Sequence, residues 1–113
     1  MCSNENLKKI LDAVRLKAVE DFGNHLAGVI LYGSYARKEA TDSSDIDIMI
    51  LVNMERAKLA GYRRDWNHFG TTLDLEYDVL VSFKLQDEAT FYAWKDTVPF
   101  YRNVINEGVK VVA

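Results

Sequence analysis

Two predicted strands enclose a polar segment, and this arrangement constrains the fold of the chain more than any other feature. Ala27 to Tyr32 is a continuously apolar run rich in β-branched residues, which predicts a strand covered on both faces. Ile46 to Val52 predicts a second strand. The segment between them begins with Gly33-Ser34 and ends with Asp45, so a Gly-Ser pair follows one strand and two acids spaced one residue apart lie at the start of the next.

Apolar periodicity predicts helices around these strands. Ser3 caps a helix whose apolar residues recur at steps near three and four, and Gly23 ends it. A second long helix is expected to end at Gly70. The other predicted elements are one or two helical turns over Ser34 to Glu39, helices over Glu55 to Phe69, Asp87 to Lys95 and Pro99 to Asn106, and a strand over Val109 to Val112.

A third internal strand is predicted from Leu73 to Phe83, because polar and apolar residues alternate there with a period of two. Asp74, Glu76 and Asp78 would share one face of that strand. The pattern as a whole predicts an α+β fold with a mixed β-sheet of about four strands backed by helices. We expect residues 1–113 to form a single domain.

Composition limits the kinds of binding partner and the cellular compartment that we expect for this protein. The formal net charge is -3 and no Lys/Arg cluster is long enough to indicate a nucleic-acid site, so we expect no polynucleotide ligand. Cys2 is the one cysteine and has no intramolecular disulfide partner. The chain shows neither a signal-peptide pattern nor an apolar run of about 20 residues, so we expect a cytoplasmic protein without a membrane partner.

The acids near position 46 indicate a divalent metal site. Side chains two apart on a strand project from one face with α-carbons roughly 6.6 Å apart, so Asp45 and Asp47 can reach one or two hard cations. Asp78 would supply a third carboxylate if its strand lies beside that of Asp47, and Glu76 is the alternative in a different register. Oxygen ligands favour Mg²⁺ or Mn²⁺.

The Gly-Ser pair indicates a phosphate site next to that metal. Gly33 allows close backbone approach, the amides that follow it favour anions, and the Ser34 hydroxyl adds a donor. Arg37, one turn further on, would neutralise a triphosphate. Phosphate beside metal defines a phosphoryl- or nucleotidyl-transfer site, in which two ions would stabilise the attacking and leaving oxygens.

The segment Gly33-Ser34, ten residues and Asp45-Ile46-Asp47 resembles the signature of the polymerase-beta-type nucleotidyltransferase superfamily, in particular its minimal (MNT) branch. The likeness extends over Tyr77 to Val81 and Phe100 to Gly108. The resemblance implies that Ser34 contacts the triphosphate of ATP and that Asp45 and Asp47 bind two Mg²⁺ ions. It also implies that Asp78 completes the ligand set of the catalytic Mg²⁺ ion.

The resemblance also implies a function. MNT proteins of this kind are commonly antitoxins that silence a HEPN-domain ribonuclease toxin by transferring AMP from ATP to a toxin tyrosine, in a hetero-oligomer with that toxin. Two alternatives remain open from the sequence. One is a nucleotidyltransferase acting on a small molecule, of the aminoglycoside type, and the other is a non-catalytic antitoxin that masks its toxin sterically.

Overall fold

A computed structural model describes residues 2–112 of the chain, so Met1 and Ala113, the ends of the predicted domain, lie outside the described residues. A 3₁₀ turn, Gly23–His25, follows the first helix. In chain order the elements are α1 (Asn4–Phe22), β1 (Leu26–Tyr32), β2 (Ile46–Val52), α2 (Arg56–Ala60), α3 (Arg63–Tyr77), β3 (Val81–Asp87), α4 (Glu88–Trp94), α5 (Pro99–Glu107) and β4 (Val109–Val112).

The strands that the structure describes form one four-stranded sheet with the order β3-β2-β1-β4. β1 is antiparallel to both of its neighbours, whereas β2 and β3 are parallel and are connected through α2 and α3. The predicted mixed sheet of about four strands backed by helices is therefore confirmed. Residues 2–112 contain no helix with the length and apolar character needed to cross a bilayer.

Both faces of the sheet are covered, which explains why β1 and β2 are almost entirely apolar. On one face, Val29 of β1 and Ile48 and Ile50 of β2 pack with the buried residues of α1 and with Trp66 of α3. On the other face, Met49 packs with Phe91 of α4 and Val104 of α5. Alternate residues of β2 therefore serve two cores, and the register of this strand is tightly fixed.

Most of the predicted elements are present. The Ser3 hydroxyl accepts a hydrogen bond from the Asn6 amide (3.1 Å) at the start of α1, and Gly23 ends the helix with φ = 50°. β2 has the predicted bounds, and β1 begins one residue earlier than predicted. The predicted α4, α5 and β4 are also found, with α5 ending one residue later.

The predictions for the middle of the chain are wrong in two respects. The helix expected over Glu55 to Phe69 is interrupted at Gly61, and its second part, α3, continues past Gly70 to Tyr77. Gly70 does not end a helix. A Cβ there would lie 3.3 Å from Cε2 of Phe83, so this glycine allows α3 to approach β3 closely.

The strand predicted over Leu73 to Phe83 is also wrong, because the first half of that segment is helical. The helical spacing of Trp66 continues through Leu73, which is buried, whereas Leu75 is 82% exposed, although the alternation placed the two on one face. The helix ends at Asp78, whose φ of 53° is left-handed. Asp74 then accepts the Val81 amide hydrogen (2.7 Å at Oδ1), so it fixes where β3 begins.

Asp87, the last residue of β3, is the buried N-cap of α4. Its Oδ2 accepts the Thr90 amide hydrogen (2.9 Å), and Oδ1 accepts from Gln86 Nε2 (3.2 Å) and lies 3.8 Å from Arg56 Nε. Burial alone would raise the pKa of this carboxyl. The hydrogen bond from Thr90 and the charge of Arg56 outweigh burial, so the pKa of Asp87 is lowered from its ordinary value of 3.8.

We expect Asp87→Ala to lower the free energy of unfolding by about 2 kcal/mol near neutral pH, since it removes a cap and leaves buried donors without acceptors. Ser3→Ala, at an exposed cap, should cost less, about 1 kcal/mol. Because folding lowers the pKa of Asp87, its ionised carboxylate stabilises the protein at pH values above 3.8. This stability is lost as the pH falls through the folded-state pKa. Urea titrations should therefore show a smaller Asp87→Ala effect in acid, and an effect that is independent of pH would contradict this assignment.

Candidate functional site

Three neighbouring strands bring side chains together at the end of the sheet where the Gly-Ser segment lies. Tyr32, the last residue of β1, pairs with Asp47 of β2, and Asp47 pairs with Ser82 of β3. Directly paired residues project from the same face, so these three side chains form a row. That face carries α5, whose Phe100 contacts the Tyr32 ring edge-on with centroids 5.5 Å apart.

Gly33 lies against the carboxylate of Asp47. Its φ of +75° is a left-handed conformation that favours glycine, and a Cβ at this position would overlap the Asp47 carboxylate. Glycine is thus needed at position 33 for two independent reasons. The structure brings together the turn and the acid that the sequence predicted would lie close to each other.

The chain after Gly33 makes a single helical turn, where one or two were predicted. The Arg37 amide donates to the Gly33 carbonyl (3.2 Å), and Lys38 is left-handed with φ = 59°. The Lys38 amide donates to Tyr35 O (3.3 Å) and the Glu39 amide to Ser34 O (2.9 Å), which is the Schellman pattern that closes helices. This closed turn fixes the Ser34 backbone directly after the glycine.

The two carboxylates of the motif repel each other. Asp45 is exposed just before β2, and Asp47 is partly buried at its second position. Burial and then the negative charge of Asp45 raise the pKa of Asp47, and the charge of Arg37 only partly offsets them. The ionised pair is therefore an electrostatic cost that a bound cation would remove. Its donors are all oxygens, which suits Mg²⁺.

Tyr32 and Arg37 complete the surroundings of Asp47. Burial, followed by the charge of Asp47, raises the pKa of Tyr32 to about 12, so its hydroxyl stays protonated as a donor. Arg37 is exposed and bonds Glu39 Oε2 (3.2 Å) and, at the end of α5, Glu107 Oε2 (3.3 Å). Exposed ion pairs of this kind are weak, so an incoming anion can compete for the guanidinium.

The predicted third carboxylate is not beside Asp47. Asp78 caps the end of α3 instead of lying on a strand, and it borders a cleft with Ser43 and Ser44. Glu76, the alternative, is an exposed residue of α3. Within residues 2–112, no three His, Cys, Asp or Glu side chains come close enough to hold a metal ion.

Ser82 occupies the place on β3 where the third acid was expected. Sequence reasoning missed it because the period of two was applied from Leu73 onward. The helical spacing that continues to Tyr77 was the available signal, since it moves the start of the strand to Val81. The site that the structure assembles therefore has two carboxylates, Asp45 and Asp47.

We expect Gly33→Ala to lower the free energy of unfolding by more than Gly23→Ala does. Both glycines have positive φ, but a Cβ at Gly23 would meet no atom within 4 Å, whereas one at Gly33 would strike Asp47. Gly23→Ala should cost about 1 kcal/mol from backbone strain alone, and Gly33→Ala about 2 to 4 kcal/mol. Urea unfolding of both variants measures the difference. Equal costs would mean that the Asp47 carboxylate does not lie against Gly33.

Several known proteins are similar to this chain in sequence or in fold. A protein of Methanocaldococcus jannaschii named "Putative protein adenylyltransferase MJ0604" is 35% identical over 100 residues, covering 81% of this chain and 92% of its own. A solved structure described as "putative minimal nucleotidyltransferase" has a TM-score of 0.59 at 22% identity and covers 93% of this chain and 92% of its own.

A second solved structure, described as a toxin-antitoxin with AMP-PNP, has a TM-score of 0.50 at 21% identity and covers 88% of this chain and 70% of its own. At these identities the two structures show a shared fold. The family model for "Polymerase beta, Nucleotidyltransferase" matches residues 15–113, which include both parts of the site. The chain therefore belongs to the polymerase beta nucleotidyltransferase family.

Proposed function

We propose that this protein transfers AMP from ATP, with Mg²⁺, to a tyrosine hydroxyl of a HEPN-domain toxin and thereby acts as its antitoxin. The observation that carries the proposal is the contact between the Gly33 backbone and the Asp47 carboxylate, which sets the turn that would bind phosphate against a pair of acids. The 35% identical relative named as an adenylyltransferase and the fold shared with a toxin-antitoxin structure that holds AMP-PNP support it.

Asp45 and Asp47 would hold the metal. Mg²⁺ usually keeps several waters and shares substrate phosphates, so two carboxylates suffice when nucleotide completes the ligand set, and their four oxygens can serve two ions. The raised pKa of Asp47 reflects burial and the uncompensated charge of Asp45, and a divalent cation would relieve that repulsion. When bound, the metal neutralises charge on the transferring phosphoryl group and makes the acceptor hydroxyl more acidic.

The other residues of the site would bind and orient the nucleotide. The Ser34 hydroxyl and the amides after Gly33 donate to phosphate oxygens, and the protonated Tyr32 hydroxyl is a further donor on the same face. The Arg37 guanidinium would give up its ion pair with Glu107 and bind the triphosphate instead. The acceptor oxygen then bonds to the α-phosphorus, the bond to pyrophosphate breaks, and the hydroxyl proton is released.

We expect Asp47→Asn to lower AMP transfer at least about 100-fold, since it removes a metal ligand. Folding should be unaffected, because the substitution removes a carboxylate that is partly buried and repelled by Asp45. The measurement is the intact mass of a HEPN toxin encoded beside the gene, after incubation with ATP and MgCl₂, which should rise by one or more AMP units. Asp12→Asn, an exposed acid of α1, is the matched control.

Three outcomes would contradict the proposal. If wild-type protein leaves the toxin unmodified, the transfer does not occur. If variants carrying Asp45→Asn and Asp47→Asn protect cells fully from the toxin, steric masking explains the protection. Turnover of a small hydroxyl compound with no modification of the toxin would support the small-molecule alternative.

Ser82→Asp should change how the protein responds to Mg²⁺. The new carboxylate would lie beside Asp47 in the paired register. Like charges repel, so we expect a lower Tm in EDTA by a few degrees and a larger Mg²⁺-induced rise in Tm than for wild type. Ser82→Asn, similar in size and uncharged, should show neither change. Thermal unfolding with and without MgCl₂ checks this, and identical responses of the two variants would place position 82 away from the metal.

A further inference from the structure

β3 has an open outer edge. It is the end strand of the sheet, and its only strand partner among the described residues is β2. The Ile46 amide donates to Leu80 O (2.8 Å) while Ile46 pairs with Val81, so the even-numbered residues of β3 bond to β2. The odd-numbered residues turn their backbone groups outward. Asp74 confirms this geometry, since it accepts the outward Val81 amide hydrogen.

Asp74 occupies the first outward amide, and Phe83 and Leu85 supply the next two. A cavity of about 180 Å³ opens at this place, lined by Arg63, Trp66, Asn67, Phe83, Lys84 and Leu85. A second, of about 140 Å³, continues along the edge and shares Arg63, Lys84 and Leu85 with the first. Trp66 is fully buried, and its Nε1 has no hydrogen-bond partner among the described residues. The edge therefore offers donors that an extended peptide backbone can satisfy.

The charge along this edge is positive in a protein whose net charge is -3. Arg63 and Lys84 are exposed, and neither makes an ion pair within the described part of the chain. Arg63 also lies in the first turn of α3, where the helix dipole disfavours a cation. Lys84 lies over the Phe100 ring on the sheet face that carries α5, whereas Arg63 belongs to α3 on the other face. Acidic side chains at adjacent positions of an extended segment would therefore each meet one cation, and the one near Arg63 would relieve that unfavourable interaction.

We propose that an extended acidic segment of the acceptor protein adds as a fifth strand to the outer edge of β3, over Phe83 to Leu85. This inference rests on the proposed function, and it states how the protein that accepts AMP would be held. Backbone hydrogen bonds to an open edge supply affinity in this mode of recognition, and side chains at alternate positions supply specificity.

A strand added at this edge would be well placed to bring a hydroxyl group towards Asp45 and Asp47, the proposed metal ligands. Ser82 pairs with Asp47, so an added strand would lie two strand spacings, about 10 Å, from β2. Its residue opposite Ser82 would project from the face that carries Asp47. Tyrosine carries its hydroxyl farther from the backbone than serine or threonine does, so this geometry favours a tyrosine acceptor.

The test uses a random copolymer of glutamate and tyrosine as the probe, without nucleotide. We expect it to slow hydrogen exchange of the Phe83 and Leu85 amides in ¹⁵N-labelled protein by at least about tenfold, since these amides gain acceptors. A lysine-tyrosine copolymer should leave them unchanged. Arg63→Glu should weaken binding of the acidic copolymer by about tenfold or more. Arg15→Glu, an exposed residue of α1, should not.

Affinity for ATP with Mg²⁺, measured separately, should be the same in Arg63→Glu and wild type, because Arg63 is not part of the nucleotide site. Because binding of the copolymer needs no catalysis, loss of the proposed transfer activity would leave this result intact. The inference is overturned if the acidic copolymer protects no β3 amide, or if the lysine-tyrosine copolymer binds equally well. The first result would mean that Lys84 and Arg63 only keep the edge solvated, and the second that their charge does not select an acidic segment.

Discussion

The contact between the Gly33 backbone and the Asp47 carboxylate is the constraint on which the site depends. It exists only because β1 and β2 pair with Tyr32 opposite Asp47. That register is fixed by β2, whose alternate residues fill two separate cores, and a slip of one residue would turn Asp47 to the other face of the sheet. Hydrophobic packing thus sets the position of a charged side chain, and the same apolar residues that stabilise the fold also assemble the site.

The site is electrostatically unfavourable in the protein alone. Asp45 and Asp47 repel each other, and the charge of Asp47 adds to burial in raising the pKa of Tyr32 to about 12. Arg37, whose charge partly offsets this repulsion, is shared with Glu39 and Glu107. A chain selected only for stability would not place two acids here, and such local conflicts are typical of functional sites. A divalent cation with a polyphosphate is a ligand chemistry that would resolve the conflict.

Local sequence signals predicted the part of the site that adjacent elements build. β1, the Gly33 turn and β2 follow one another along the chain, so a glycine, an apolar run and two acids suffice to place them. The position of β3 depends on contacts between distant residues. Its start is set where Asp74 accepts the Val81 amide hydrogen and where Gly70 lets α3 approach Phe83. The alternation from Leu73 to Phe83 hides these contacts, and only the helical spacing that continues to Tyr77 indicates a later start for the strand. The predicted register was therefore four residues too early, and it put Asp78 where the structure has Ser82.

The presence of Ser82 in place of an acid has a consequence for how the ligands would bind. With two carboxylates instead of three, a larger share of the metal's ligands must come from substrate phosphates and water, so metal and nucleotide should bind together. The phosphates would also draw Arg37 away from Glu107, the last residue of α5. Because Phe100 of the same helix contacts Tyr32, nucleotide binding in the proposed reaction would act on α5 from both of its ends. The helix on the face that carries Asp47 is thus the element whose contacts would differ between the nucleotide-bound and the free protein.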